Sequence, residues 1–192
     1  MLLLAGALWL GSCHAEKAQP ESWTRIDDEK PARKPDVPYE PSSAESIAAM
    51  IELGAPGPND VIYDLGCGDG RVVIEAVKRS GARGVCVDLD PKLIRQARQN
   101  AARAGVAERL SFRTEDLFLT DIGDASVVML FLWPEINLRL LPKLQKELRP
   151  GTRVVSNMHD MGTLQPTRMI PISSSRHQPH HVYLWLIPSP GN

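Results

Sequence analysis

The segment Asp64-Leu65-Gly66-Cys67-Gly68-Asp69-Gly70 follows the apolar run Val61-Ile62-Tyr63 and precedes Val72, Val73, Ala76 and Val77, which share one face at helical spacing. A glycine cluster between a strand pattern and a helix pattern is a tight turn in which the backbone approaches a neighbour or a ligand. The rhythm then repeats. Gly84-Val85-Cys86-Val87-Asp88 is a second strand, and Asp90-Pro91 opens a helix carrying Leu93, Ile94, Ala97, Ala101 and Ala104 on one side, with Gly105 as its stop. Arg109 to Thr114 and Ala125 to Leu132 read as strands three and four. Pro134-Glu135 starts a helix whose Leu138, Leu141, Leu144 and Leu148 form a stripe, and Pro150-Gly151 turns into a fifth strand from Thr152 to Asn157. Strands alternating with helices of this length give an α/β, Rossmann-like, doubly wound and mostly parallel sheet, with its ligand site at the carboxyl ends of the strands. Met169 to Ser174 and Val182 to Ile187 lack a long helix between them. They complete a seven-strand sheet as a carboxyl-terminal antiparallel hairpin.

Composition bounds the partners. The chain has 192 residues, 43% hydrophobic and 23% charged, enough for one core, and its net charge of -1 supplies no general field for a polyanion. Nucleic acid is therefore not expected as a partner. Three cysteines, Cys13, Cys67 and Cys86, are too few for a disulfide framework or a four-ligand zinc site, so reduced thiols are expected, with Cys67 a small loop filler. His177, His180 and His181 lie in the connection between the last two strands; without partnering carboxylates or cysteines they read as a solvated turn, and no metal is expected.

The amino end divides into two. Met1 to Gly11 is apolar and runs into small residues, and 1–15 has the form of a signal-peptide core or, at Leu10-Gly11-Ser12-Cys13, of a lipobox, although no Lys or Arg precedes Lys17. It offers a means of membrane association and points to the envelope, whereas a cofactor need points to the cytoplasm. Residues 16–38 carry mixed charge with Pro20, Pro31, Pro35 and Pro38 and read as a linker, so the folded domain, 39–192, begins at Tyr39.

The charges on the glycine loop narrow its ligand. A dinucleotide sets pyrophosphate at the helix amino end, where the carboxylates of Asp64 and Asp69 would repel it. S-adenosylmethionine, with an ammonium, a sulfonium and no phosphate, suits them. Asp88, with Leu89 beside it, stands where this architecture sets an acid against ribose hydroxyls; Asp90 is explained as a helix cap. Asp116 after the third strand is placed to accept from an adenine amino group, with Leu117 covering the ring.

With Gly66, Gly68 and Gly70 in the loop, Asp88 and the pair Glu115-Asp116, the chain from Tyr39 to Ile187 resembles the class I, seven-strand S-adenosylmethionine-dependent methyltransferases in motif order and spacing. Val37-Pro38-Tyr39-Glu40-Pro41-Ser42, then Ile47, Met50, Ile51 and Leu53, Asp116-Leu117-Phe118, and Leu144-x-x-Glu147-Leu148-x-Pro150-Gly151-Thr152 are similar to a family of small protein-lysine methyltransferases, which includes the mitochondrial enzymes acting on the c-ring protein of ATP synthase. The resemblance implies methyl transfer to a protein lysine and a place for Tyr39 at the cofactor or acceptor channel, where packing between linker and sheet is the other reading. Phe131-Leu132-Trp133-Pro134-Glu135 departs from the family pattern where an acceptor would enter. No Asp/Asn-Pro-Pro-Tyr follows the fourth strand and no Pro-Cys occurs, which disfavours attack on base amino groups or cytosine. A small-molecule methyltransferase and a non-catalytic, envelope-associated ligand-binding module remain as alternatives. No general base is assigned, since displacement at a methyl already activated by positive sulfur needs chiefly orientation and a dry pocket.

Overall fold

A run of five buried residues, Val61–Leu65 (β1), occupies the centre of the sheet because it has no polar face to show to water except Asp64. The computed structural model describes residues 33–173 and 178–189. Before β1 comes α1 (Ala44–Gly54), capped by Ser43, whose hydroxyl accepts from the Ser46 amide at 3.1 Å. After it come α2 (Arg71–Ser80), β2 (Arg83–Asp88), α3 (Pro91–Ala104), a short 3-10 turn at Ala107–Arg109, β3 (Leu110–Thr114), β4 (Val127–Leu130), α4 (Pro134–Glu147), β5 (Arg153–Asn157), β6 (Arg168–Ile172) and β7 (His180–Leu186).

The sheet has seven strands in the order β3-β2-β1-β4-β5-β7-β6. The first five are parallel and β7 runs antiparallel to both β5 and β6, as the hairpin signal predicts. Chain order reverses between β1 and β4, so a crevice opens beyond their carboxyl ends. Ile62 and Cys86 face one apolar layer with Met50, Val73 and Ala97 from α1, α2 and α3; Tyr63, Leu65, Val85 and Val87 face the other, with Ile136, Leu140 and Leu144 of α4.

Three sequence expectations are corrected. The α4 stripe is corrected at one position: Leu144 and Leu148 are buried and Leu141 packs against them, but Leu138 is 48% exposed and Ile136, Asn137 and Leu140 are buried instead. Leucines at 138, 140, 141 and 144 satisfy helical spacing in two phases, and the polar bonds of Asn137 choose between them. Next, β7 begins at His180, two residues before the predicted start, because β6 pairs Ile172 with His180 and Pro171 with His181. His180 is consequently buried, its Nε2 3.2 Å from the Ser46 hydroxyl, instead of lying in a solvated turn. His177 lies outside the described residues. Finally, Cys67 and Cys86 form a disulfide, with Cα atoms 5.4 Å apart. The amides of Gly66 and Cys67 both donate to the Val87 carbonyl, at 2.8 and 3.0 Å, which folds the loop back over β2 and sets Cys67 on its partner. A separation of 19 residues conveyed nothing of that adjacency.

Candidate cofactor and acceptor site

The crevice beyond β1 and β4 is a cavity of about 480 Å³, lined among others by Tyr39, Asp64, Gly66, Asp88, Leu89, Asp116 and Leu117. Seven of the nine residues nominated from sequence thus meet at one surface; Gly68 and Gly70 stand behind it. Gly68 has φ 55°, and a Cβ there would fall 2.3 Å from the Tyr39 ring. Only glycine lets that ring lie flat against the loop. Gly70, φ 78°, caps α2 where a Cβ would fall 2.9 Å from Ala97, so its absent side chain serves the packing of α3 on the loop.

The acids do not act alike. Asp64 is buried and accepts from the Val73 amide at 3.3 Å; desolvation pushes its carboxyl up to about 7. Asp88 accepts from the amides of Gly68 at 2.8 Å and Asp90 at 2.9 Å, and burial raises it as well. Each carboxylate oxygen keeps a lone pair for a further donor. Asp90 accepts from the Lys92 amide and caps α3, as its sequence position suggests. Asp69 is different: burial alone would raise it, but hydrogen bonds from the Arg71 guanidinium and amide outweigh that and hold it below the usual range. One of the two loop carboxylates is therefore already paired, and the electrostatic case for a cationic ligand rests on Asp64 and Asp88.

The strap that borders the cavity includes the Tyr39 segment expected there from sequence and extends further, into what reads as linker. Arg33 to Ser42 lines it continuously. Arg33 donates from Nε to Asp116 at 2.7 Å and pairs with Asp36, and Asp36 pairs with Arg139 of α4 at 3.2 Å. That guanidinium bond is the main cause that keeps the Asp116 carboxyl low. Proline spacing signalled an extended segment and gave no sign of the pairs that Arg33 makes with Asp116 after β3 and Asp36 makes with Arg139 of α4. At the other end Phe131, Leu132 and Ile136 complete the wall, while Trp133 is 47% exposed and is the amino cap of α4. The Phe131 ring stacks on His159, centroids 6.3 Å apart, in the loop after β5. Among the described residues no group of three or more His, Cys, Asp or Glu is placed to hold a metal.

The donor set suits S-adenosylmethionine. Acids at the ends of β1 and β2, a glycine backbone between them and the apolar pair Leu89 and Leu117 match an ammonium, a ribose and a flat base in turn. The model of the ANTKMT methyltransferase domain matches residues 64–168, from the end of β1 to the first residue of β6. The chain belongs to this family. The protein-lysine N-methyltransferase of Saccharolobus islandicus strain REY15A is 39% identical over 154 residues, 80% of this chain and 95% of that protein. The adenine nucleotide translocase lysine N-methyltransferase of Mus musculus is 35% identical over 136 residues, 70% of this chain, and the match spans 58% of that protein's length. Among solved structures, an RNA methyltransferase from Salinibacter ruber in complex with S-adenosyl-L-homocysteine is 44% identical, with a TM-score of 0.74 over 80% of this chain and 98% of that one. The protein is thus a methyltransferase of the ANTKMT-domain family, and the α/β sheet with its antiparallel end is the fold of these enzymes.

Proposed function

We propose that the protein transfers a methyl group from S-adenosylmethionine to a lysine side chain of a protein. When bound, S-adenosylmethionine supplies a methyl group on positively charged sulfur. Asp88 holds the ribose hydroxyls, with Leu89 beside it; Asp64 and the backbone at Gly66 receive the amino-acid end; Asp116 and Leu117 take the adenine; and Tyr39, seated on Gly68, keeps water from the reacting end. Gly70 serves by fixing the loop on α3.

The observation that carries the lysine reading is the charge at the Phe131 end of the cavity. Glu40 lines the cavity there, Glu135 and Asp160 lie near His159, whose ring stacks on Phe131, and carboxylates outnumber Arg and Lys along the lining. An acidic rim attracts an ammonium and repels a phosphate backbone. The names of the archaeal and mouse relatives agree with it. The Salinibacter ruber protein, described as an RNA methyltransferase, supports RNA as a second reading. The two separate in one experiment. The purified chain is incubated with methyl-labelled S-adenosylmethionine and, in parallel, a total bacterial protein extract or total RNA, and each product is hydrolysed to its monomers. Label in Nε-methyl-lysine is expected. Label confined to nucleosides, or to neither polymer, would overturn the lysine assignment.

A further inference from the structure

We infer that the Cys67–Cys86 bond is a redox switch on the cofactor site: the disulfide form binds S-adenosylmethionine and S-adenosylhomocysteine, and the dithiol form binds them about tenfold more weakly. The inference rests on the cofactor site assigned above and not on the lysine reading. Cys67 lies between Gly66 and Gly68 and borders the cavity, while Cys86 precedes Asp88 by two residues on β2. Three backbone donors run the same way as the disulfide, from the loop to the end of β2: the amides of Gly66 and Cys67 reach the Val87 carbonyl, and the Gly68 amide reaches Asp88 at 2.8 Å. The disulfide is the covalent member of that set.

Its two ends differ in freedom. Cys86 is fully buried within β2, in register with Asp64 of β1 and Phe112 of β3, so it cannot shift without opening a ladder on either side. Cys67 sits in the turn after β1, outside the strands. Unbonded sulfurs stand farther apart than bonded ones, and the close-packed apolar layer that holds both cysteines, with Val72, Val73 and Ala97, has no room to spare. On reduction the displacement therefore falls on Cys67 and moves the loop toward the cavity. Gly68 moves with it, and Gly68 carries both the amide that Asp88 holds and the surface on which Tyr39 rests.

The reductant is a dithiol. One of its thiolates attacks the Cys67 sulfur, the end of the bond that borders the cavity; the bond to Cys86 breaks, its electrons go to the Cys86 sulfur, and that sulfur takes a proton. A mixed disulfide then joins Cys67 to the reductant. The second thiolate attacks the reductant's own sulfur in that bond, closing a cyclic disulfide and releasing Cys67, which takes the other proton. Because coupling between sites is reciprocal, bound cofactor resists this reduction by the same factor that reduction weakens the cofactor.

The test uses the full chain, dithiothreitol and S-adenosylhomocysteine, with no methyl acceptor. Calorimetry on the oxidised and the reduced chain, with a thiol count and circular dichroism for each, should give about tenfold weaker binding after reduction with the fold retained, and reoxidation should restore the affinity. In dithiothreitol redox mixtures, saturating S-adenosylhomocysteine should lower the midpoint potential of the pair by about 30 mV, the equivalent of tenfold for two electrons. Cys86→Ser should bind like the reduced parent and ignore dithiothreitol, whereas Cys13→Ser, which removes the remaining cysteine, should respond like the parent. Equal or tighter binding after reduction would overturn the inference and leave the cofactor site standing. Loss of the fold on reduction, which would make the bond structural alone, or three free thiols before reduction, would overturn it too. Absence of S-adenosylhomocysteine binding in both forms would remove the cofactor site, and the switch with it.

Discussion

Two carboxylates at the strand ends carry opposite demands. Asp88 already holds the amides of Gly68 and Asp90 and has a lone pair on each oxygen left for hydroxyl donors. Asp88→Ala is expected to weaken S-adenosylhomocysteine binding by about 1.5–3 kcal/mol, the scale of hydrogen bonds to a charged group. Asp88→Asn, which retains one acceptor oxygen, should fall between that variant and the parent; calorimetry measures both, and unchanged affinity in Asp88→Ala would take the ribose role away from it. Asp64 has the heavier burial. Its folded-state carboxyl stands at about 7 against 3.8 when unfolded. Below the unfolded value both states are protonated and the contribution is fully present; as pH rises toward 7 the unfolded chain ionises first, so stability falls. Urea unfolding of the ligand-free protein should therefore show stability declining from about pH 4 to about pH 7, and Asp64→Asn should flatten that decline. An unaltered slope in the variant would assign the pH dependence elsewhere.

The glycine loop was legible as an element because every local signal agrees: an apolar strand before it, a helical stripe after it, and glycines where φ is positive. The cap of α3 at Asp90-Pro91 was legible for the same reason. What was not legible depends on contacts between distant segments. The phase of α4 is set by the bonds of Asn137 to the chain after β5, the start of β7 by its register with β6, and the Cys67–Cys86 bond by the loop folding onto β2. Periodicity within a segment contains none of these. The disulfide also makes a prediction at this scale. Closing a loop of about this length removes roughly 3 kcal/mol of unfolded-state entropy. Treating the protein with a dithiol reductant should expose two additional thiols and lower the urea midpoint accordingly, and Cys86→Ser should reproduce the lower midpoint without reductant. A midpoint indifferent to reductant and an unchanged thiol count would show that the two cysteines are not bonded in solution.

Across the molecule, the strap from Arg33 to Ser42 joins parts that the sheet keeps apart. It pairs with Asp116 beyond β3, with Arg139 on α4, and through Tyr39 lies on the glycine loop before entering α1. Its two kinds of contact differ in worth. The ion pairs of Arg33 and Asp36 involve side chains 37% and 26% exposed, and pairs at the surface contribute about 0.2–1 kcal/mol each. Tyr39, 45% exposed, instead rests its ring in the space that a side chain at position 68 would occupy. Removing residues up to Asp36 should therefore leave S-adenosylhomocysteine affinity within about fivefold of the parent, a loss of roughly 1 kcal/mol. Tyr39→Ala, which keeps the prolines and the Ser43 cap of α1, should cost more affinity than the truncation and lower turnover further by admitting water to the reacting end. Calorimetry on the two proteins decides between these weights. If the truncation costs more than Tyr39→Ala, the guanidinium bridge between Asp116 and Asp36 closes the site, and the tyrosine is only the point where the strap rests.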